Sequence, residues 1–321
     1  MKYSSSIRMI NAVVFALIFV AFGCLGCYFS FFASPEFFAQ STESQADHFI
    51  GNTGYNFCLQ FGVLGLAVML VGLLGFVLSL KSIREENNDK IVRASFLCYV
   101  AIGYIFAAFF FINATFWYTL IGKSSIAWWI VVSVILFIAA LIASNVPMMK
   151  MLEDADSNII LTVLTSTLAV ISFCLTLTLG ITWLVTMKSP KDVAIINKEL
   201  MIYTLISLVV FIVSLVAALL FFKGYRKGEQ KQLPHFLADF SLIGVSGLFF
   251  ASSSFEYVYR KTTSKTPLYV SLESANKVCE STDYIVMGYI LGSLVFLGAI
   301  ALICSNLFGN KKSSKKPAQA N

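Results

Sequence analysis

The chain has 321 residues, 58% of them hydrophobic and 12% charged, with a mean hydropathy of +0.81. A soluble domain carries about 25% charged residues, so this composition excludes a water-solvated globule and points to a membrane protein. The net charge of +6 does not make a nucleic-acid binder, which needs a basic face interleaved with stacking aromatics.

Eight mostly apolar runs follow one another with little between them. They are Met9 to Phe32, Tyr55 to Leu80, Phe96 to Ile121, Ile126 to Met148, Ile159 to Met187, Met201 to Phe222, Phe236 to Tyr259 and Tyr284 to Phe308. At about 1.5 Å of rise per residue, each can cross a hydrocarbon core of about 30 Å. Their continuous apolar character predicts helices rather than the alternating strands of an outer-membrane barrel. The expected fold is an all-α polytopic membrane bundle of eight transmembrane helices.

The first run follows Lys2 and Arg8, as a signal peptide does, but it is longer than the usual apolar region of one and is taken as a span. With the N-terminus inside, the inner segments hold fifteen Lys and Arg and the outer segments eight. The positive-inside rule then sets both termini on the cytoplasmic side, and the expected location is the plasma membrane. All four tryptophans (Trp117, Trp128, Trp129, Trp183) fall at ends assigned to the outer face, where amphipathic rings meet the headgroups.

Three short matches recur in the same order in both halves. Ser34-Pro35 matches Ser189-Pro190, Thr115-Phe116-Trp117-Tyr118 matches Ser254-Phe255-Glu256-Tyr257, and Leu141-Ile142-Ala143-Ser144-Asn145 matches Leu302-Ile303-Cys304-Ser305-Asn306. The offsets are 155, 139 and 161 residues. They suggest a 4+4 parallel tandem repeat. The units are 1–158 and 159–308, followed by a basic cytoplasmic tail, 309–321, expected to be disordered.

Small residues at helical spacing mark contact faces, because close backbone approach drives helix association in lipid. The fifth span carries Thr162, Thr165, Ser166, Ala169, Ser172, Thr176 and Gly180 on one face. The eighth has Gly288-x-x-x-Gly292, the seventh Gly244 and Gly247, and the second Gly62, Gly65, Gly72 and Gly75. These stripes read as ordinary helix contact, with a sliding surface or a hydroxyl-lined path as the alternative.

Ionisable groups deep in a membrane are default functional candidates, and they are scarce here. Asp239 lies about a turn inside the seventh span and Glu256 near its other end; both read as solvated caps. Gln60 and Asn113 lie below the outer face. These four are the candidate polar lining of a path, with interhelical hydrogen bonding as the plainer account. Asn11, Asn145 and Asn306 read as wet inner-end residues. Cys58 and Cys279 lie near the outer face and could pair in an oxidising compartment.

No P-loop, zinc-protease helix motif or nucleophile elbow occurs. No catalytic, cofactor or metal residues are expected, and the chain reads as a non-enzyme. The expected partners are the lipid bilayer and another membrane protein or a separate ATPase, with no nucleic acid. Three functions fit: a non-catalytic assembly, scaffold or regulatory subunit; a transporter of a small neutral or lipid-like solute between the halves; and a membrane-embedded lipid-modifying enzyme.

Overall fold

The computed structural model describes residues 4–33, 53–85, 88–116, 123–151, 157–187, 194–228, 231–263 and 283–309. Every regular element among them is helical. The helices are α1 (Ser5–Cys27), α2 (Thr53–Arg84), α3 (Asp89–Phe116), α4 (Lys123–Met151), α5 (Ser157–Thr186), α6 (Ala194–Lys227), α7 (Gln232–Thr263) and α8 (Asp283–Gly309). A π-helical turn, Tyr28–Ala33, prolongs α1.

Seven of the eight are long and apolar enough to cross a membrane, so the protein is a multi-pass membrane helix bundle. In α4 the apolar stretch among the described residues is the shorter Val131–Asn145. Most helices begin or end a few residues beyond the apolar runs, because polar caps and flanking turns extend them. Ser4 caps α1: extended at φ −67° and ψ 154°, it accepts the Ile7 N–H on its side chain, satisfying one of the free donors of the first turn.

α1 lies along α2. The glycines of α2 are what let it approach. A Cβ on Gly65 would run into the backbone of Gly26, and one on Gly26 into that of Gly65 and Leu66. About two turns further on, Ile18 and Phe19 lie over Gly72, and about a turn beyond that the ring of Phe15 lies over Gly75. Phe15 is fully buried and stacks on Tyr99 of α3 at 4.2 Å between centroids. The glycine stripe of the second span is therefore the seat of the first helix.

The remaining helices follow in sequence. α3 packs on α2 and α4 on α3; α6 packs on α5, α7 on α6 and α8 on α7. The halves meet where α5 lies against α2 and α3. One end of this bundle gathers Lys81, Arg84, Lys90, Arg93, Arg226 and Lys227 at helix termini; it is called the basic end below.

Buried hydroxyls dominate the second half. Thr165, Thr167, Thr178, Thr182, Thr204 and Ser214 each donate to a carbonyl four residues back. This habit lets a polar side chain sit in hydrocarbon without an unpaired proton. Across the helix pair, Thr176 of α5 donates to Ser207 Oγ of α6 at 2.9 Å, and Gly180 lies against Thr204. Ala169 and Thr165 are buried, while Thr162 and Ser166 are half-buried. On α8, Gly288 faces Ser253 and Gly292 faces the Phe250 ring of α7.

A Gly65→Val change should lower the thermal stability of the purified protein by about 1–3 kcal/mol, the usual cost of overpacking. Gly298→Ala should not lower it, because a Cβ there meets nothing within 4 Å. Thermal unfolding of both variants in one detergent checks the contrast.

Candidate functional site

The densest polar cluster lies at the basic end, among α1, α2 and α3. Arg8, Asn11 and Phe15 follow one another at spacings of three and four residues, which puts them on one face of α1. Arg8 is buried. Its Nη1 donates to the Ser82 carbonyl at 2.6 Å and its Nη2 to Asp89 Oδ1 at 2.8 Å. Asp89 opens α3, where a carboxylate also suits the positive end of the helix dipole.

One turn deeper, Asn11 joins three helices. Its Nδ2 donates to Ser79 Oγ of α2 at 3.2 Å and to Ser95 Oγ of α3 at 2.8 Å. Its Oδ1 accepts from Tyr99 OH at 2.7 Å. The serine protons go to carbonyls of their own helices, Ser79 to Gly75 and Ser95 to Val92. Each hydroxyl is thus free to accept from Asn11, and the donor and acceptor roles are consistent throughout. This geometry holds helices in register. It brings together no activated nucleophile with its base.

The sequence placed Arg8 as a charged flank and Asn11 as a wet end group. Both readings are corrected: the two residues are 2% and 5% exposed. The cause is the close seating of α1 on its glycine stripe, which carries its polar first turns under the ends of α2 and α3. The available signal was the run Arg8, Asn11, Phe15, Ile18, Phe22 and Gly26, all at spacings of three or four.

Two further asparagines are also engaged. Asn145 of α4 accepts from Tyr104 OH of α3 at 2.7 Å, and its amide donates to the Leu141 carbonyl. Tyr104 lies nine residues beyond Ser95, about 13 Å further along α3. This pair therefore lies well inside the bundle, not at a wet helix end. Asn306 of α8 donates to Asp239 Oδ2 of α7 at 2.8 Å, and Asp239 is buried. The solvated-cap reading of Asp239 is corrected for the same reason: α8 covers it and supplies the bond.

Of the other sequence candidates, Gln60 is half-buried on α2. Asn113 lies on α3 and Glu256 on α7, and their side chains fall outside the described residues. Gln60 is in the first half, and Asp239 is at the basic end of the second. Cys58 is buried, while Cys279 lies outside the described residues.

The seam between the halves is mostly apolar. Val163 of α5 clusters with Val100 of α3, flanked by Leu97, Ala101, Tyr104 and Ile160. Cys174 of α5 joins the main core of Phe15, Leu64, Leu66, Ala67 and Val68. Toward the other end, the Thr178 hydroxyl lies 3.1 Å from Ser30 Oγ in the π turn, within hydrogen-bond distance. Among the described residues no three His, Cys, Asp or Glu side chains gather as a metal site would require. Comparison with protein-family models, with curated proteins and with solved structures finds no match.

Asp89→Asn should destabilise the protein by about 1–3 kcal/mol, because it leaves a buried guanidinium with a weakened partner. Arg8→Met added to it should recover part of that loss, since the unpaired charge goes too. Chemical unfolding of the two single variants and the double variant measures the coupling directly.

Proposed function

We propose that this chain is a non-catalytic membrane subunit that binds and holds another membrane protein. In this reading it sits in the plasma membrane with eight crossings and both termini cytoplasmic. The observation that carries the reading is how the polar groups are used. Arg8, Asn11, Asn145, Asp239 and Asn306 all bond to neighbouring helices, and the half-to-half seam is mostly apolar around Val100 and Val163. A solute path along that seam would need polar groups facing a cavity rather than one another.

The same reading takes the molecule as two tandem four-helix units. Support comes from matched contacts. Gly26 against Gly65, Ser30 against Gly62 and Gly23 against Met69 join α1 to α2. Thr176 with Ser207, Gly180 with Thr204 and Phe173 with Phe211 join α5 to α6. In all three cases the displacement is 150 residues on the first helix and 142 on the second. The asparagines of the Leu-Ile-x-Ser-Asn matches, 161 residues apart, both bond the third helix of their own unit. The Ser-Pro match lies outside the described residues.

Passage of a small neutral or lipid-like solute is the second reading. It has in its favour the Ser30–Thr178 hydroxyl pair at the π turn, since such turns recur at functional sites.

Purification in mild detergent followed by mass spectrometry tests the proposal. It should recover a companion membrane protein in fixed stoichiometry, while proteoliposomes of the chain alone show no solute flux above empty vesicles. Flux without a companion would reverse the order of the two readings.

A further inference from the structure

The two units do not meet symmetrically. α5 lies on α2 and α3, whereas α1 packs chiefly on its own α2. A two-fold pairing of units would also lay α1 on α6 and α7. The contact is therefore one-way, and a one-way contact leaves its two surfaces unused at the far ends of the pair.

Both unused surfaces can be identified from the correspondence of the halves, displaced by 150 residues from α1 to α5, 142 from α2 to α6 and 139 from α3 to α7. The face by which α5 meets the first unit includes Val163, Thr167, Cys174 and Thr178, all buried. Their counterparts on α1 are Val13, Leu17, Cys24 and Tyr28, all exposed. Leu17 is 65% exposed where Thr167 is 4% exposed. The receiving side behaves the same way. Leu66 and Ala67 of α2 are buried in the cluster that Cys174 joins, and their counterparts on α6, Leu208 and Val209, are exposed. Ala101 of α3 packs beside Val100 and Val163; its counterpart on α7, 139 residues on, is Phe240, which is exposed.

We propose that a second copy of this chain docks its α1 on the α6–α7 face, so that copies join head to tail. The occupant is a second copy because one molecule carries both halves of the contact. α1 presents the same face that α5 uses, and α6–α7 presents the counterpart of the surface that α5 covers. Such a contact is heterologous and builds rings or open rows rather than a closed two-fold dimer. The inference rests on the tandem-unit reading above, and it makes a second copy one of the membrane partners of that reading.

Cysteine cross-linking in native-like vesicles tests it, in protein with Cys24, Cys27, Cys279 and Cys304 changed to serine. Val13 corresponds to Val163, and Phe240 to its neighbour across the seam, Ala101. Copies bearing Val13→Cys mixed with copies bearing Phe240→Cys should form a mixed dimer on oxidation, and copies bearing both changes should form a ladder or closed ring. A Val100→Cys/Val163→Cys variant should close within one chain, which reports that the seam used as template is intact. If that internal bridge closes and the mixed dimer is absent, the head-to-tail proposal is overturned and the tandem units stand. If Val13→Cys copies link to one another, or only to a foreign protein, the proposal is likewise overturned. If the internal bridge itself fails to close, both readings fall together.

Discussion

Helices in hydrocarbon gain little from hiding apolar surface, because the lipid around them is as apolar as their side chains. What remains is close backbone approach and the pairing of polar groups that have no water to turn to. This structure depends on the first of these at Gly26 and Gly65, where α1 and α2 meet with no room for a Cβ. That approach sets the depth and rotation of α1, and through them the positions of Phe15, Asn11 and Arg8. The polar cluster at the basic end is a consequence of the glycine seam.

The α1–α2 and α5–α6 pairs pack by different chemistry. Where α1 and α2 use glycine against glycine, α5 and α6 use Thr176 against Ser207 and Gly180 against Thr204. Glycine allows closer packing; the hydroxyl pair adds an interhelical hydrogen bond, worth on the order of 1 kcal/mol. Deep asparagines are treated alike in the two halves of the chain. Asn145 and Asn306 each tie the fourth helix to the third, one through Tyr104 and the other through Asp239. Polar side chains in this bundle serve mainly to fix which helix lies beside which.

Much of the architecture was legible in the sequence because length and apolarity define a membrane helix almost alone. Six of the eight expected runs fall wholly within helices, the third runs past Phe116 beyond the described residues and the fifth ends one residue after α5; the glycine stripe of the second span is a contact face. Polar residues near helix ends were harder to read. Arg8, Asn11 and Asp239 look solvated when only their distance from a helix terminus is considered. Whether such a residue meets water or a neighbour depends on which helix covers that end, and a linear sequence does not carry that information. Asn145 and Asn306 each bond a neighbouring helix, and the contacts between α1 and α2 and between α5 and α6 are not visible in the linear sequence.

The proposal that the protein acts through its surfaces rather than through a path rests on a packed seam between the halves. Cys174 lies at that seam and is fully buried. Kept as the sole cysteine, it should resist a membrane-impermeant thiol reagent applied from either side of intact vesicles and react only after denaturation. Rapid labelling of Cys174 in the folded protein from one aqueous side would reveal a wet channel between the halves and contradict this account.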